Sequence, residues 1–342
     1  MTPATVAEAF EYQAVACGSL GSPFMEQLCR LFAVRDWPNT ATRDMVFRWQ
    51  GDLSPRGESV PLRLAGGLHA LYLKGLAFDG AYPPAVVGND DLWSTVCEAM
   101  ITHDAFLTNW MQSAPQTNEV RRAAAILSAG HVVAERFGLP LRTSELGASG
   151  GLNLKWDHYG LRIGDRVWGR DNTLVLTPDW SGPTPPMTVP EVADRRGVDL
   201  NPLDPTQAED ALRLRAYLWP DQPDRLTRTK AAIEIAEAQV DRADAIDWLA
   251  PRLAPQPGLC HMIYHTIAWQ YFPQDRQDEG TALIEAAGAL ATEQAPLAWF
   301  SMENDGGTRG AAMTLRLWPG DVTLDLGRAD FHGRWIEWSG AC

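Results

Sequence analysis

The chain has 342 residues, 45% of them hydrophobic and 21% charged, an ordinary globular composition that excludes a disordered or fibrous chain. A net charge of −14 argues against nucleic acid as a partner, because phosphate binding needs clustered Lys and Arg. No apolar run approaches the ~20 residues needed to cross a bilayer, so no membrane partner is expected.

In chain order, residues 1–137 read as helical. VAEAFEYQAVAC, SPFMEQLCRLFAV, VPLRLAGGLHALYLKGLA and DLWSTVCEAMITHDAFLTNWMQ carry apolar residues three and four apart. Ser22-Pro23 reads as a cap followed by a first-turn proline. NEVRRAAAILSAGHVVAERFG continues the pattern and stops at Gly138, a good helix terminator. His103 and Asp104 are expected to face solvent. No strand alternation appears, and this part is expected to be a helical cap or substrate domain. From 138 the character changes. LRTSELG is a short strand, and a β-rich insertion at about 155–195 carries a hairpin. RRGVDLNP is a strand, AEDALRLRAYLW and DRLTRTKAAIEIAEAQV are helical, and GLCHMIYHTIAWQYF holds a buried strand. EGTALIEAAGALATEQA is a helix and PLAWFSME a strand. TLRLWPGDVTLDLG is a hairpin about Pro-Gly-Asp, and RWIEW is a last edge strand. Strands alternating with helices predict an α/β fold with a mostly parallel sheet over 138–342. A closing antiparallel hairpin is the pattern of class I methyltransferases.

The stretch SELGASGGLNL, Ser144 to Leu154, carries the chemistry and has two readings. As Gly-x-Ser-x-Gly it is the elbow of a serine hydrolase with Ser149 as nucleophile, and His332 follows late in the chain as that fold requires. As Glu-x-Gly-x-x-x-Gly it is the first glycine loop of a Rossmann-like sheet, where ligands lie beyond the carboxyl ends of strands. Gly147 would turn tightly off the strand, Gly151 would let the backbone approach a ligand, and Ser149 stands where glycine is commoner. Arg142, Thr143, Ser144 and Glu145 interrupt the apolar run an elbow strand needs, which favours the glycine loop. Further on, GVDLNP ends a strand in Asp199, whose two oxygens suit a ribose diol. RADAIDWL puts Asp244 after a third strand, where an adenine amino group would lie. The fourth strand ends at Tyr264, His265 and Thr266. Asp199 and Asp244 would equally serve as helix caps. Asn118, Glu119 and Arg121, in PQTNEVRR, either reach the glycine loop or merely start a helix. Trp156 and Tyr159 either stack on a ligand ring or pack in the core.

His261 and His265, four apart on a strand, would lie about 13 Å apart on one face with no third ligand, so no metal is expected. Five scattered cysteines without Cys-x-x-Cys spacing predict no disulfide framework. The polar, acidic opening MTPATVAEAFEYQ shows no signal peptide. Together these lead us to expect a cytoplasmic protein, with a homodimer as the candidate assembly.

The segments LRLAGGLHALYLKG, PQTNEVRR, ELGASGGLNLKWDHY, GVDLNPLDP and HGRWIEW resemble a bacterial family catalogued as a domain of unknown function. The usual loop of that family reads Gly-Ala-Ser-Ala-Gly-Leu-Asn-Leu; here Gly150 replaces an alanine. The resemblance spans essentially the whole chain. It implies a core like that of S-adenosylmethionine-dependent methyltransferases. The expectation is therefore methyl transfer from S-adenosylmethionine to a small molecule. Glu145, Gly147, Ser149, Gly151, Asp199 and Asp244 would hold the cofactor, Asn118, Glu119 and Tyr264 the substrate, and His265 or His332 would act as base. The alternatives are a serine hydrolase using Ser149 and a non-catalytic adenosyl-ligand-binding protein.

Overall fold

The computed structural model describes residues 5–54, 57–170, 174–307 and 309–340. Six helices come first: α1 (Val6–Ser19), α2 (Pro23–Val34), α3 (Ala41–Phe47), α4 (Val60–Leu73), α5 (Asn89–Thr102) and α6 (Asp104–Met111). Then follow α7 (Ala123–Phe137), β1 (Leu141–Leu146), a 3-10 helix at Leu152–His158, β2 (Gly160–Ile163), β3 (Arg166–Gly169), β4 (Val175–Leu176), β5 (Asp179–Ser181) and β6 (Val192–Asp199). The chain continues through α8 (Ala208–Ala216), α9 (Pro223–Glu234), β7 (Val240–Arg242), α10 (Ala245–Leu249) and β8 (Cys260–Thr266). It finishes with α11 (Gln274–Ala289), β9 (Leu297–Glu303), β10 (Ala311–Trp318), β11 (Val322–Ala329) and β12 (Trp335–Trp338).

These elements form two compact units, 1–117 with 208–230, and 118–207 with 231–342. The first is helical. Thr5 and Glu8 close a reciprocal capping box at α1, and Ser22 caps α2 ahead of Pro23 as its sequence predicts. Its core is aromatic: the Phe10 and Phe32 rings lie 5.1 Å apart, and Phe32 meets the edge of Trp93 at 5.2 Å. Asp104 does not face solvent freely; its carboxylate accepts the Ala41 and Thr42 amides at 2.7 and 2.8 Å, tying α6 to the start of α3.

The unit boundaries differ from a division at 137 in two ways. Residues 208–230 return to the helical unit, where the His69 ring meets the Ala216 carbonyl at 3.1 Å and Asp221 accepts the Phe24 amide at 3.0 Å. Helix α7 belongs to the second unit, because every residue from Ala123 to Ala134 is buried. Such a helix, apolar on all sides, must sit inside a core rather than cap one. Gly130 permits this: a Cβ there would lie 2.5 Å from the Trp156 ring. Gly138 ends the helix at φ 63°, and a Cβ added there would meet nothing within 4 Å, so its role is conformational alone. Gly138→Ala is expected to cost about 1 kcal/mol in urea denaturation, with the core untouched.

The second unit is α/β. Its main sheet is mixed but mostly parallel, in the order β5-β12-β11-β10-β9-β8-β1-β6-β7. The run from β7 to β9 is all parallel; β10, β11 and β12 then meander antiparallel, with β10 and β11 forming the expected hairpin. RWIEW does not form an edge: β5 pairs alongside β12 in parallel. The insertion supplies that strand and a separate sheet ordered β3-β2-β4.

The polar run in β1 is fully buried between β6 and β8. A central parallel strand is normally apolar, and here each polar group needs a partner. Ser144 Oγ lies 2.8 Å from His261 Nε2, Thr143 donates to the Asp194 carbonyl at 3.3 Å, and Arg142 donates to the Arg252 carbonyl at 3.0 Å. Burial, reinforced by Arg142 and Arg252, pushes the His261 pKa down to about 3, so this histidine is neutral and structural.

Candidate functional site at the carboxyl edge of the sheet

Of the parallel strands, β6 and β7 follow β1 on one side and β8 comes back to pair with it on the other. This change of direction is the topological switch point of the parallel strands, and the glycine loop leaves β1 there. Three loop residues are left-handed: Gly147 (φ 72°), Ser149 (φ 53°) and Gly151 (φ 70°). The glycines are required by space as well. A Cβ on Gly147 would lie 2.5 Å from Ala268 Cβ, and one on Gly151 would lie 2.8 Å from Val240 Cγ2.

The loop is tied to its neighbours through main-chain groups. The Gly147 and Ala148 amides both donate to the Val198 carbonyl, at 2.9 and 3.0 Å. Asp199 accepts the Ser149 amide on Oδ2 at 2.9 Å and the Asn201 amide on Oδ1 at 2.8 Å. Asn118 and Glu119 do come to this loop, from the turn before α7. Asn118 Oδ1 accepts the Leu152 amide at 2.8 Å, and Asn153 Nδ2 donates to the Glu119 carbonyl at 3.3 Å.

Glu145 lies two residues before Gly147, with 2% of its surface exposed, and its Oε2 has no hydrogen-bond partner. Burial first, and the Asp199 charge second, push its carboxyl well above the usual range; Tyr264 and the Arg122 charge oppose this. Tyr264 pairs in register with Glu145, is fully buried, and donates to the Asn153 carbonyl at 3.3 Å, which places it beneath the loop.

Asp244 follows the end of β7, beside Asp199, whose carbonyl accepts the Ala243 amide at 3.2 Å. Its carboxylate caps α10 through the Ile246 amide at 2.9 Å and pairs with Arg276. The three acids thus stand at the ends of adjacent strands, but Asp244 is committed to a cap and an ion pair.

His265 is 1% exposed, and both ring nitrogens are engaged. The Trp299 indole donates to Nε2 at 3.0 Å, so the proton sits on Nδ1, 2.8 Å from Glu303 Oε1. In this arrangement His265 has no free nitrogen to act as a base. His332 is half-buried in the turn after β11, its amide donating to Asp330 Oδ1 at 3.0 Å. That turn packs on the start of α7, where Arg122 Nε donates to the Phe331 carbonyl at 2.9 Å. Trp156 and Tyr159 are both fully buried, and Tyr159 donates to the Leu152 carbonyl at 2.6 Å, so they form core rather than a stacking platform.

Two participants escape sequence reasoning. Arg122 binds the Thr266 carbonyl at 3.1 Å, and its only signal is its place in PQTNEVRR. Glu303 ends β9 and accepts the Ala268 and Trp269 amides at 3.0 and 3.1 Å; a lone Glu at a strand end carries no signal at all. Among the described residues, no group of three or more His, Cys, Asp or Glu could hold a metal ion, and no helix is long and apolar enough to cross a membrane.

The family model described as "Uncharacterized protein conserved in bacteria (DUF2332)" matches residues 7–338. The chain belongs to the DUF2332 family. No curated protein and no solved structure matches it. Within this DUF2332 chain the match takes in the glycine loop, all three strand-end acids and the turn that bears His332.

Proposed function

We propose that this DUF2332 protein binds S-adenosylmethionine at the carboxyl edge of its sheet and transfers the methyl group to a small molecule. The observation that carries this reading is the left-handed glycine loop at the switch point, flanked by Glu145 and by Asp199 at the end of the neighbouring strand. The residues present fit an adenosyl ligand: a ribose diol donates hydrogen bonds that the Asp199 carboxylate can accept, and a sulfonium is cationic. Each Asp199 oxygen accepts one amide and keeps capacity for a hydroxyl.

The bound cofactor would supply an activated methyl group. The protein then has only to orient the acceptor in line and exclude water. A serine hydrolase has less support, because Ser149 leads through Gly150 and Gly151 into a 3-10 helix, not into the α-helix that opens at an elbow serine.

Calorimetry with S-adenosylhomocysteine and S-adenosylmethionine tests the reading. Saturable binding of both at about micromolar Kd is expected, and no binding of either at millimolar concentration overturns it.

A further inference from the structure

A small cavity opens at the amino edge of the sheet, where β1, β8 and β9 begin. Its volume is about 20 Å³, room for one water-sized guest. Arg142, His261 and Leu297 line it, paired in register across the three adjacent strands. Ala254, Pro255 and Gln256 line it too, and all three are exposed, so the cavity reaches solvent. Arg142 and His261 are buried, 9% and 8% exposed. Among the described residues, Arg142 is the only charged side chain in the wall, and no carboxylate lines it.

The wall is rich in donors and positive charge. Arg142 Nη1 donates to the Arg252 carbonyl at 3.0 Å, while its buried Nε makes no hydrogen bond. Arg252 Nε donates to Ser144 Oγ at 3.2 Å, and Ser144 Oγ lies 2.8 Å from His261 Nε2. Ser144, already accepting from Arg252, is free to give its own proton to Nε2, which leaves the ring proton on Nδ1. One carboxylate oxygen serves both arginines: Asp194 Oδ2 lies 3.4 Å from Arg142 Nε and from Arg252 Nη2, and Asp194 is half-exposed. Two largely buried guanidinium groups thus share a single solvent-screened negative charge. His261 registers that field, because the Arg142 and Arg252 charges add to burial in lowering its pKa to about 3. A water would satisfy the donors and leave the charge; an anion answers both.

We propose that the cavity at the amino edge of the sheet is a binding site for one small monovalent anion of halide size, held between Arg142 and His261. The site lies at the end of the strands away from the glycine loop, and it stands or falls independently of the adenosyl reading.

Two measurements on the full chain test it. In the first, chloride replaces gluconate, an anion too large for the cavity, at constant ionic strength, and the thermal midpoint is followed. The midpoint should rise saturably by about 1–3 °C, with half the effect below about 100 mM chloride. In Arg142→Gln, which removes the charge and keeps a donor, half-saturation should need roughly tenfold more chloride or be lost. In the second, crystals of the wild type are soaked in sodium bromide, whose anomalous scattering locates the ion. A peak is expected within about 3.5 Å of the Arg142 guanidinium. No saturable rise, an equal response in Arg142→Gln, or no bromide in the cavity overturns the proposal, and the last would mean that a water fills it. A bromide peak without a saturable rise would be an adventitious ion only and overturns it as well. Should Arg142→Gln fail to fold, the two wild-type results decide: both positive uphold the site, and either one negative sinks it.

Discussion

Replacing Asp199 with alanine is expected to weaken S-adenosylhomocysteine binding by ~100-fold or more and to lower stability by about 1–3 kcal/mol. Both effects follow from one carboxylate doing two things. Its oxygens accept the amides of Ser149 and Asn201, which fixes the glycine loop against the end of β6. In the ligand complex the same oxygens would each take a ribose hydroxyl, and hydrogen bonds to a charged acceptor contribute about 1.5–3 kcal/mol apiece. Alanine removes all of these, including the carboxylate that accepts the amide of buried Ser149. The Asp199→Asn variant would keep one oxygen acceptor, so its binding should fall between the two. Calorimetry and urea denaturation on the same preparations measure the two effects. Alanine-variant affinity within about threefold of wild type would show that Asp199 serves the loop alone.

The second large effect concerns Glu145 and pH. Burial, and after it the Asp199 charge, raise its folded-state pKa well above the unfolded value of about 4.3. The folded protein therefore holds a proton that the unfolded chain has already released. Stability from this group is fully present below about pH 4.3 and is lost as pH rises through the folded pKa, at about 1.4 kcal/mol per unit within that window. Glu145→Gln mimics the protonated form and escapes the loss. The variant should match wild type near about pH 4 and exceed it increasingly as pH rises toward the folded pKa. Urea midpoints across that range measure the difference, and the other titrating groups cancel between the two proteins. A difference that stays constant with pH would mean that Glu145 is ionised in the fold.

Much of the architecture is legible in local pattern. Ser22-Pro23, Gly138, the Pro-Gly-Asp hairpin and the strands carrying Glu145, Asp199, Tyr264 and Glu303 all appear where periodicity and turn chemistry put them. The glycine loop is legible too, because left-handed backbone at Gly147 and Gly151 needs glycine whatever surrounds it. Helix α7 is harder. Its Ala-rich run fits the helical period, but only its burial on every face shows that it belongs with the sheet.

By itself, then, the sequence determined the class of most elements, the turns at Gly138, Gly147 and Gly151, the caps and the order of strand-end acids; it ran the helix before β7 on to Val240, which begins the strand β7 instead. These depend on residues within a few positions of one another, where sterics and hydrogen bonding are local. Tertiary structure alone decided which polar groups meet: Asn118 with Leu152, Arg122 with Thr266, and Glu303 with His265 and the Ala268 amide. It also decided that β5 covers β12, that 208–230 rejoins the helical unit, and that His265 has no nitrogen to spare. A side chain's partner across a sheet is set by register and packing between segments far apart in the chain, and nothing in the local sequence encodes that distance.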